Sequence, residues 1–354
     1  LAPALQVSAA FVAAPPLAAR LRARPPASPR VAALTYRANA PPYECKEHPM
    51  PNPTDPPIRR SELTCPGHSL AMMAKAVATQ ADLVMFDLED ACALSQKVAA
   101  RQTVIQALTT LDRAAAPPKL YAFRPNGLHT PFFYRDLIDV VEAAGRSLDS
   151  VVIPKVNGPE DAIFVDRLLT QIELNMGLPV GRIVIEALIE TAEAVLRAEQ
   201  IARATPRMAS LIFGLVDFAG DIGAKEVGAE QFFYYNYAKA KVIVAARAAH
   251  IACLDGVTLA VRDLAACQRD ATMAARMGFD GKWAIHPTQV PVINTAFTPT
   301  ADEIARAQRI ITAYEEADTG QGVGALVIDD EMIDAASLTV ERQRLAIARR
   351  AGLL

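Results

Sequence analysis

Two acids stand where consecutive apolar runs end. Between Arg182 and Gly223 the chain reads RIVIEALIETAEAVLRAEQIARATPRMASLIFGLVDFAGDIG. Two Ile/Val/Leu-rich runs, each short enough to be a buried strand, flank an Ala/Glu/Arg-rich helix. Glu190 closes the first run and Asp217 the second. In a parallel strand–helix–strand unit neighbouring strands point the same way, so both carboxylates emerge at the rim where α/β folds do chemistry. Two such carboxylates repel each other unless positive charge lies between them, and a hard divalent cation taking a few protein oxygens plus substrate answers that need. A plainer reading stays open, because Glu190-Thr191 also precedes a helix that a negative first turn would favour. Glu186 shares the strand parity of Glu190 and is equally available; Glu190 is preferred because water and substrate reach a strand end.

The elements that must position these acids recur along the chain. Apolar, β-branched runs occupy 59–65, 83–88, 119–124, 150–156, 183–190, 210–216, 250–255 and 281–286, and helical stretches such as 68–79, 95–112, 134–145, 159–174 and 236–249 separate them. Eight strands, each but the last followed by a helix, predict an α/β chain folded as a (β/α)8 TIM barrel over 58–298. An open doubly wound sheet is the alternative, but no strand is followed by a Gly-rich phosphate fingerprint. After the eighth strand the alternation is expected to stop. A C-terminal extension over 299–354 then offers a helix at 300–317, a Gly-rich hinge at 320–324, a short strand ALVI and a last helix around 336–350, a length that suits a lid over the rim.

Residues 1–57 differ from the rest: about half of the 25 prolines fall there, and Arg20, Arg22, Arg24, Arg30 and Arg37 meet no acid before Glu44. This segment is expected to lie outside the fold, either as an upstream extension with the true start at Met50 or as a mitochondrial transit peptide. The remaining composition bounds the function. A formal charge of -3 over 354 residues gives no electrostatic case for nucleic acid, and no apolar run is long enough to span a membrane. The five cysteines lack metal-binding spacing and suit a reduced, cytoplasmic protein.

Other strand ends are charged as well: Asp87-Leu88-Glu89-Asp90, Arg124-Pro125-Asn126-Gly127, Pro154-Lys155 and His286-Pro287. A barrel gathers all of them around one depression, and an arginine, a lysine and several carboxylates suit a substrate bearing its own carboxylate and an adjacent oxygen. These segments also carry a resemblance. RRSELTCPG, MFDLEDA with Lys97 and Arg101, FRPNG, IPK, LIETAEAV, FGLVDFAGDIG, GFDGKWAIHPTQV with AFTPT, and DEMIDAA look like the citrate lyase β-subunit-like acyl-CoA lyases of the HpcH/HpaI aldolase superfamily. The likeness is greatest to the malyl-CoA, β-methylmalyl-CoA and citramalyl-CoA lyase branch. It runs in the expected order from about Arg59 to the C-terminus and does not touch residues 1–57.

The resemblance implies a Mg2+-dependent enzyme, with Mn2+ as a substitute, that cleaves a 3-hydroxyacyl-CoA into glyoxylate or pyruvate plus acetyl-CoA or propionyl-CoA. A malyl-CoA-type thioesterase on the same scaffold is the alternative. The implied metal ligands are Glu190 and Asp217, with Glu89 and Asp90 behind them. Arg124 is implied to contact the 2-oxo acid and thioester, and Lys155 stands beside it at the strand ends. Asp334 is implied to reach a neighbouring subunit of a homotrimer or homohexamer as acid/base, although an Asp before Ala-Ala-Ser would serve equally as a helix N-cap. Coenzyme A phosphates are weakly assigned to Arg60 and Lys75, because His68-Ser69 stands where many relatives carry an arginine. His286 is expected to be packed, and Trp283 and the run Phe232-Phe233-Tyr234-Tyr235 to serve core or subunit contacts.

Overall fold

In a computed structural model of the chain, eight parallel strands close on themselves in sequence order. They are β1 (Ser61–Pro66), β2 (Leu83–Asp87), β3 (Leu120–Arg124), β4 (Ser150–Ile153), β5 (Val184–Ile189), β6 (Met208–Phe213), β7 (Ala252–Asp255) and β8 (Gly281–Ala284), with β8 paired to β1. The structure describes residues 57–113, 119–228, 231–321 and 324–354. The expected leader lies outside them but for Pro57, as does the middle of the expected hinge. This is the (β/α)8 barrel that the strand count predicts.

The alternation does not stop at β8, as the sequence reading had it. Helix Gln289–Ala296 follows and buries Val290 and Ile293 in the outer core, so the last strand also has its helix. Pro291 disguises it in the sequence, yet a proline in the first turn costs nothing there because those N–H groups lack intrahelical partners anyway.

The strands alternate between two environments. On β5, Ile185, Ala187 and Ile189 pack outward under the helices, whereas Leu188 packs inward with Leu83, Met85, Ala122, Val152, Ile212, Leu254 and Trp283. Side chains thus fill the barrel axis. Two residues before Leu188 comes Glu186, and two after it Glu190, so the three lie one above another on the inner face.

Glu186 belongs to the barrel floor and not to the rim. Its carboxylate accepts from Arg59 Nη1, Ser150 Oγ and Ser210 Oγ, each at 2.6 Å. Arg59 also lies 3.4 Å from Glu62 Oε1, while Glu62 Oε2 is buried without a hydrogen-bond partner. Burial and the nearby Glu186 raise the Glu62 carboxyl well above its ordinary value. Burial acts on Glu186 in the same direction, but Arg59 and the two hydroxyls outweigh it and hold that carboxyl low. The two carboxyls thus shift in opposite directions, Glu186 held toward its charged form against Arg59 and Glu62 pushed toward its protonated form.

The C-terminal extension contains one element more than expected. After helix Ala301–Gln321, β9 (Ala325–Ile328) pairs antiparallel with β10 (Glu331–Asp334), and helix Ala335–Arg350 ends the chain. Asp329 and Asp330 join the strands with φ of 50° and 62°, the mirror-image turn that matches strand twist. Ile304, Ala307, Leu345 and Ala348 form one small core, and Ile310, Tyr314, Ile333 and Leu338 another, both distinct from the barrel cores. Among the described residues no helix is long and apolar enough to cross a membrane, and Cys65, Cys92, Cys253 and Cys267 are buried free thiols.

Arg59→Met should lower the unfolding free energy by about 3–5 kcal/mol, the cost of leaving a buried charge without its partner. Denaturant titration checks this, and a loss below about 1 kcal/mol would contradict the charge balance assigned to the floor.

Candidate active site

The upper layer of the barrel continues the inward parity of the core. Asp87, Arg124 and Glu190 each lie two residues beyond an interior side chain, Met85, Ala122 and Leu188. Asp87 and Arg124 are in register as the last residues of β2 and β3. The Asp87 carboxylate accepts from Arg124 Nε at 2.8 Å and Nη2 at 2.7 Å, and from the backbone amides of Glu89 at 2.8 Å and Ala91 at 3.0 Å. Burial alone would raise this carboxyl, but Arg124 and the two amides more than offset it and hold it below the usual range. The guanidinium also lies over the Trp283 ring, 5.1 Å from its centroid.

Lys155 links the acids. It follows β4 and Pro154 with φ of 52°, a conformation that costs a non-glycine residue about 1–2 kcal/mol. Its contacts show what holds it there. The amide donates to Glu190 Oε1 at 2.6 Å and Nζ to Glu89 Oε1 at 2.5 Å, with Asp217 Oδ1 3.4 Å and Asp90 Oδ2 3.7 Å from Nζ. Burial would lower the ammonium's pKa, yet Glu89, Asp90 and Glu190 raise it, so Lys155 stays charged. Arg124 Nη1 lies 3.0 Å from Glu89 Oε2, an ion-pair contact without hydrogen-bond alignment, which leaves that oxygen without a hydrogen-bond partner.

Glu190 immediately follows β5 and is only 1% exposed. Burial first, then the charges of Asp217 and Glu89, push its carboxyl up to about 8 against the pull of Arg124 and the Lys155 amide. Its alternative reading as the start of a helix cap is not needed, because the Thr191 hydroxyl accepts from the Ala194 amide at 3.1 Å and caps helix Ala192–Leu196 itself. Asp217 is not the terminal residue of a strand, as the sequence reading placed it. β6 stops at Phe213, Gly214 turns the chain, and Asp217 sits in the first turn of helix Leu215–Asp221. A Cβ at Gly214 would lie 2.4 Å from Glu190 Cβ and 2.5 Å from Glu190 Oε2, so glycine is required here for space, its φ of -87° being ordinary.

A depression of about 560 Å3 opens beside these groups, lined by Glu89, Asp90, Asn126, His129, Phe132 and Lys155 among others. Two residues of the second motif brace its walls, Lys97 from within the lining and Arg101 from behind it. Lys97 Nζ donates to the carbonyls of Leu88 at 3.1 Å and Glu89 at 2.9 Å. Arg101 Nε donates to Asp136 at 2.8 Å, and Asp136 in turn accepts from Asn126 Nδ2 at 2.6 Å, which fixes the loop after β3. Among the described residues no three His, Cys, Asp or Glu side chains form a metal cage. Glu190 and Asp217 are two hard oxygen donors whose mutual repulsion raises one of them, a set that suits a cation taking its remaining ligands from water and substrate.

The other candidate residues lie elsewhere. Arg60 precedes β1, and Asp82 takes its Nε and Nη2 at 2.9 and 2.8 Å while its Nη1 donates to Thr298 at 2.9 Å, so the structure does not bring it to the rim. Lys75 is exposed in the last turn of helix Leu70–Val77. Asp334 caps helix Ala335–Arg350: its Oδ1 accepts from the Ser337 amide at 2.9 Å and hydroxyl at 3.0 Å, which hold the carboxyl below its usual range. His286 is exposed, not packed, with Nδ1 2.8 Å from Thr288 Oγ1. The aromatic run divides, Tyr235 inward and Phe233 and Tyr234 outward. Two residues escaped the sequence reading: Asp87, given no role although it shares a strand-end position and parity with Arg124, and Gly214, whose need is visible only once Glu190 is placed.

This barrel, with its acids and cations gathered at one rim, belongs to the HpcH/HpaI aldolase/citrate lyase family, whose model matches residues 60–287. The chain is an enzyme of that family, a lyase. It is 37% identical to the L-malyl-CoA/β-methylmalyl-CoA lyase of Cereibacter sphaeroides, over 84% of this chain and 97% of the relative. It is 35% identical to the citrate lyase subunit beta of Leuconostoc mesenteroides, over 78% of this chain and 89% of that one. Among solved structures it resembles the protein CitE of Mycobacterium tuberculosis in complex with magnesium, acetoacetate and coenzyme A. The TM-score is 0.68 and the identity 28%, covering 83% of this chain and 98% of that one.

Two outcomes follow from the crowding around Glu190. Gly214→Ala should destabilise the protein by about 1–3 kcal/mol in denaturant melts, the usual penalty of overpacking. Separately, the native carboxyl of Glu190 keeps a proton that the unfolded chain has released. Metal-free protein should therefore lose stability as pH rises from about 4.5 to about 8. In Glu190→Gln that contribution is absent, so melting temperatures of the two proteins compared across this window should diverge with the wild type falling; parallel curves would contradict it.

Proposed function

We propose that this lyase is Mg2+-dependent and reversibly cleaves a 3-hydroxyacyl-CoA of the malyl-CoA, β-methylmalyl-CoA or citramalyl-CoA type. The products are glyoxylate or pyruvate and acetyl-CoA or propionyl-CoA. The observation that carries this reading is the cluster at the C-terminal rim of the barrel in which Lys155 contacts Glu190, Asp217 and Glu89 and Arg124 contacts Glu89, beside the depression that Glu89 and Lys155 line. The names of the malyl-CoA lyase relative and of the CitE complex support it. Mn2+ is expected to substitute for Mg2+.

In the cleavage direction the substrate hydroxyl loses its proton and the bond between the α and β carbons breaks as that oxygen becomes a carbonyl. The electron pair passes to the thioester as an enolate, which takes up a proton at carbon. Glu190 and Asp217 would hold Mg2+, which when bound supplies a Lewis acid for the oxygen that becomes a carbonyl. Arg124, held by Asp87, offers a fixed positive edge to the 2-oxo acid. Lys155 remains an ammonium and so contributes charge and not a base, while Glu89 and Asp90 fix its position. Asp334 of a second copy is assigned the proton at carbon, with residues 299–354 as the lid, in a homotrimer or homohexamer. Exposed aromatics on the helices after β6, with Phe233 at 78% and Tyr237 at 69% exposure, support contact between copies.

Purified protein assayed with the three thioesters, with and without EDTA, tests the proposal. Glyoxylate or pyruvate with an acyl-CoA is the expected product, whereas free malate with CoA would mark a thioesterase and overturn it. Asp217→Ala should lower divalent-dependent turnover by at least about 100-fold, as loss of a group that stabilises developing charge does, with the melting curve retained. Undiminished turnover would contradict the site.

A further inference from the structure

The arginine at this rim is not a free fork. A guanidinium has five N–H donors, and the edge formed by Nε and Nη2 is taken by the carboxylate of Asp87 at 2.8 and 2.7 Å. One face lies over Trp283, whose Nε1 donates to Thr64 Oγ1 and is thereby tied to β1. What remains for a ligand is the end edge of Nη1 and Nη2, beside which Glu89 Oε2 lies 3.0 Å from Nη1. Asp87 is fully buried, lies in register with Arg124 and takes four hydrogen bonds, so its carboxylate cannot turn without breaking several of them. Its one contact with a rim acid is through the Glu89 backbone amide.

We propose that Asp87 is the positioning residue for Arg124: it fixes which edge of the guanidinium is turned to Glu89 and the rim and so sets the approach of the substrate's 2-oxo acid portion. This rests on the role given to Arg124 above. A bidentate partner fixes a planar guanidinium in rotation as well as in position, which a single hydrogen bond does not. Since a displacement of about 1 Å can cost roughly 100-fold in rate, the effect of losing Asp87 should appear in turnover even if the fold survives.

The test is a cycle of Asp87→Asn, Arg124→Gln and the double variant in the full chain, assayed for malyl-CoA cleavage with Mg2+, with pyruvate and glyoxylate binding followed by calorimetry. Asp87→Asn is expected to lower kcat by about 30–100-fold and to weaken 2-oxo acid binding, yet to cost no more than about threefold in the Arg124→Gln background. Losses that multiply in the double variant, or an Asp87→Asn variant within threefold of wild type, would overturn the positioning role. Asp87→Glu keeps the buried charge but displaces the guanidinium; it serves if Asp87→Asn melts below the assay temperature, and it should lose at least about tenfold in kcat, wild-type turnover being the contrary result. If the wild type turns over none of the thioesters, the proposed reaction falls. The calorimetric arm still decides Asp87, because unaltered 2-oxo acid binding in both Asp87 variants would then refute it.

Discussion

The upper end of this barrel is governed by a shortage of positive charge. Glu89, Asp90, Glu190 and Asp217 approach one another around the ammonium of Lys155, while Arg124 is largely committed to Asp87. Like charges about 4 Å apart near a protein surface repel by roughly 4 kcal/mol, so each carboxylate added without a counter-charge makes its neighbours harder to ionise. Glu190 bears the consequence, with a carboxyl pushed up to about 8. The strained backbone of Lys155 belongs to the same balance, since that conformation lets one residue present its amide to Glu190 and its ammonium to three other acids.

The contrast within β5 shows that environment, not residue type, divides structure from chemistry. Glu186 and Glu190 flank Leu188 on one inward face, yet their carboxyls shift in opposite directions. Below, one arginine and two serine hydroxyls satisfy Glu186 completely, so it serves the fold. Above, one amide and the pull of Arg124 do not offset burial and two repelling neighbours, so the carboxyl of Glu190 rises. An apolar layer around Leu188, Ile212 and Leu254 separates the two.

Much of this was legible in the sequence because a barrel strand writes its period plainly. The eight runs located the strands, and their charged ends located the rim. What stayed hidden depended on partners distant in sequence. Glu186 and Glu190 are indistinguishable by parity, and only Arg59, Ser150 and Ser210 decide between them. Asp217 reads as a strand end because the apolar run LIFGLV continues through Gly214, whereas the chain turns there. The helix at Gln289–Ala296 was hidden by Pro291, and β10 by its four-residue length and the acids on either side of it. Arg60 looked like a phosphate ligand by position in a motif, but Asp82 claims it.

Trp283 is the only tryptophan in the chain, and it lies under the Arg124 guanidinium. The indole emission of the whole molecule therefore arises from one side chain, next to a permanent cation. Light from this protein reports the electric field at a single point, directly beneath the guanidinium that Asp87 holds.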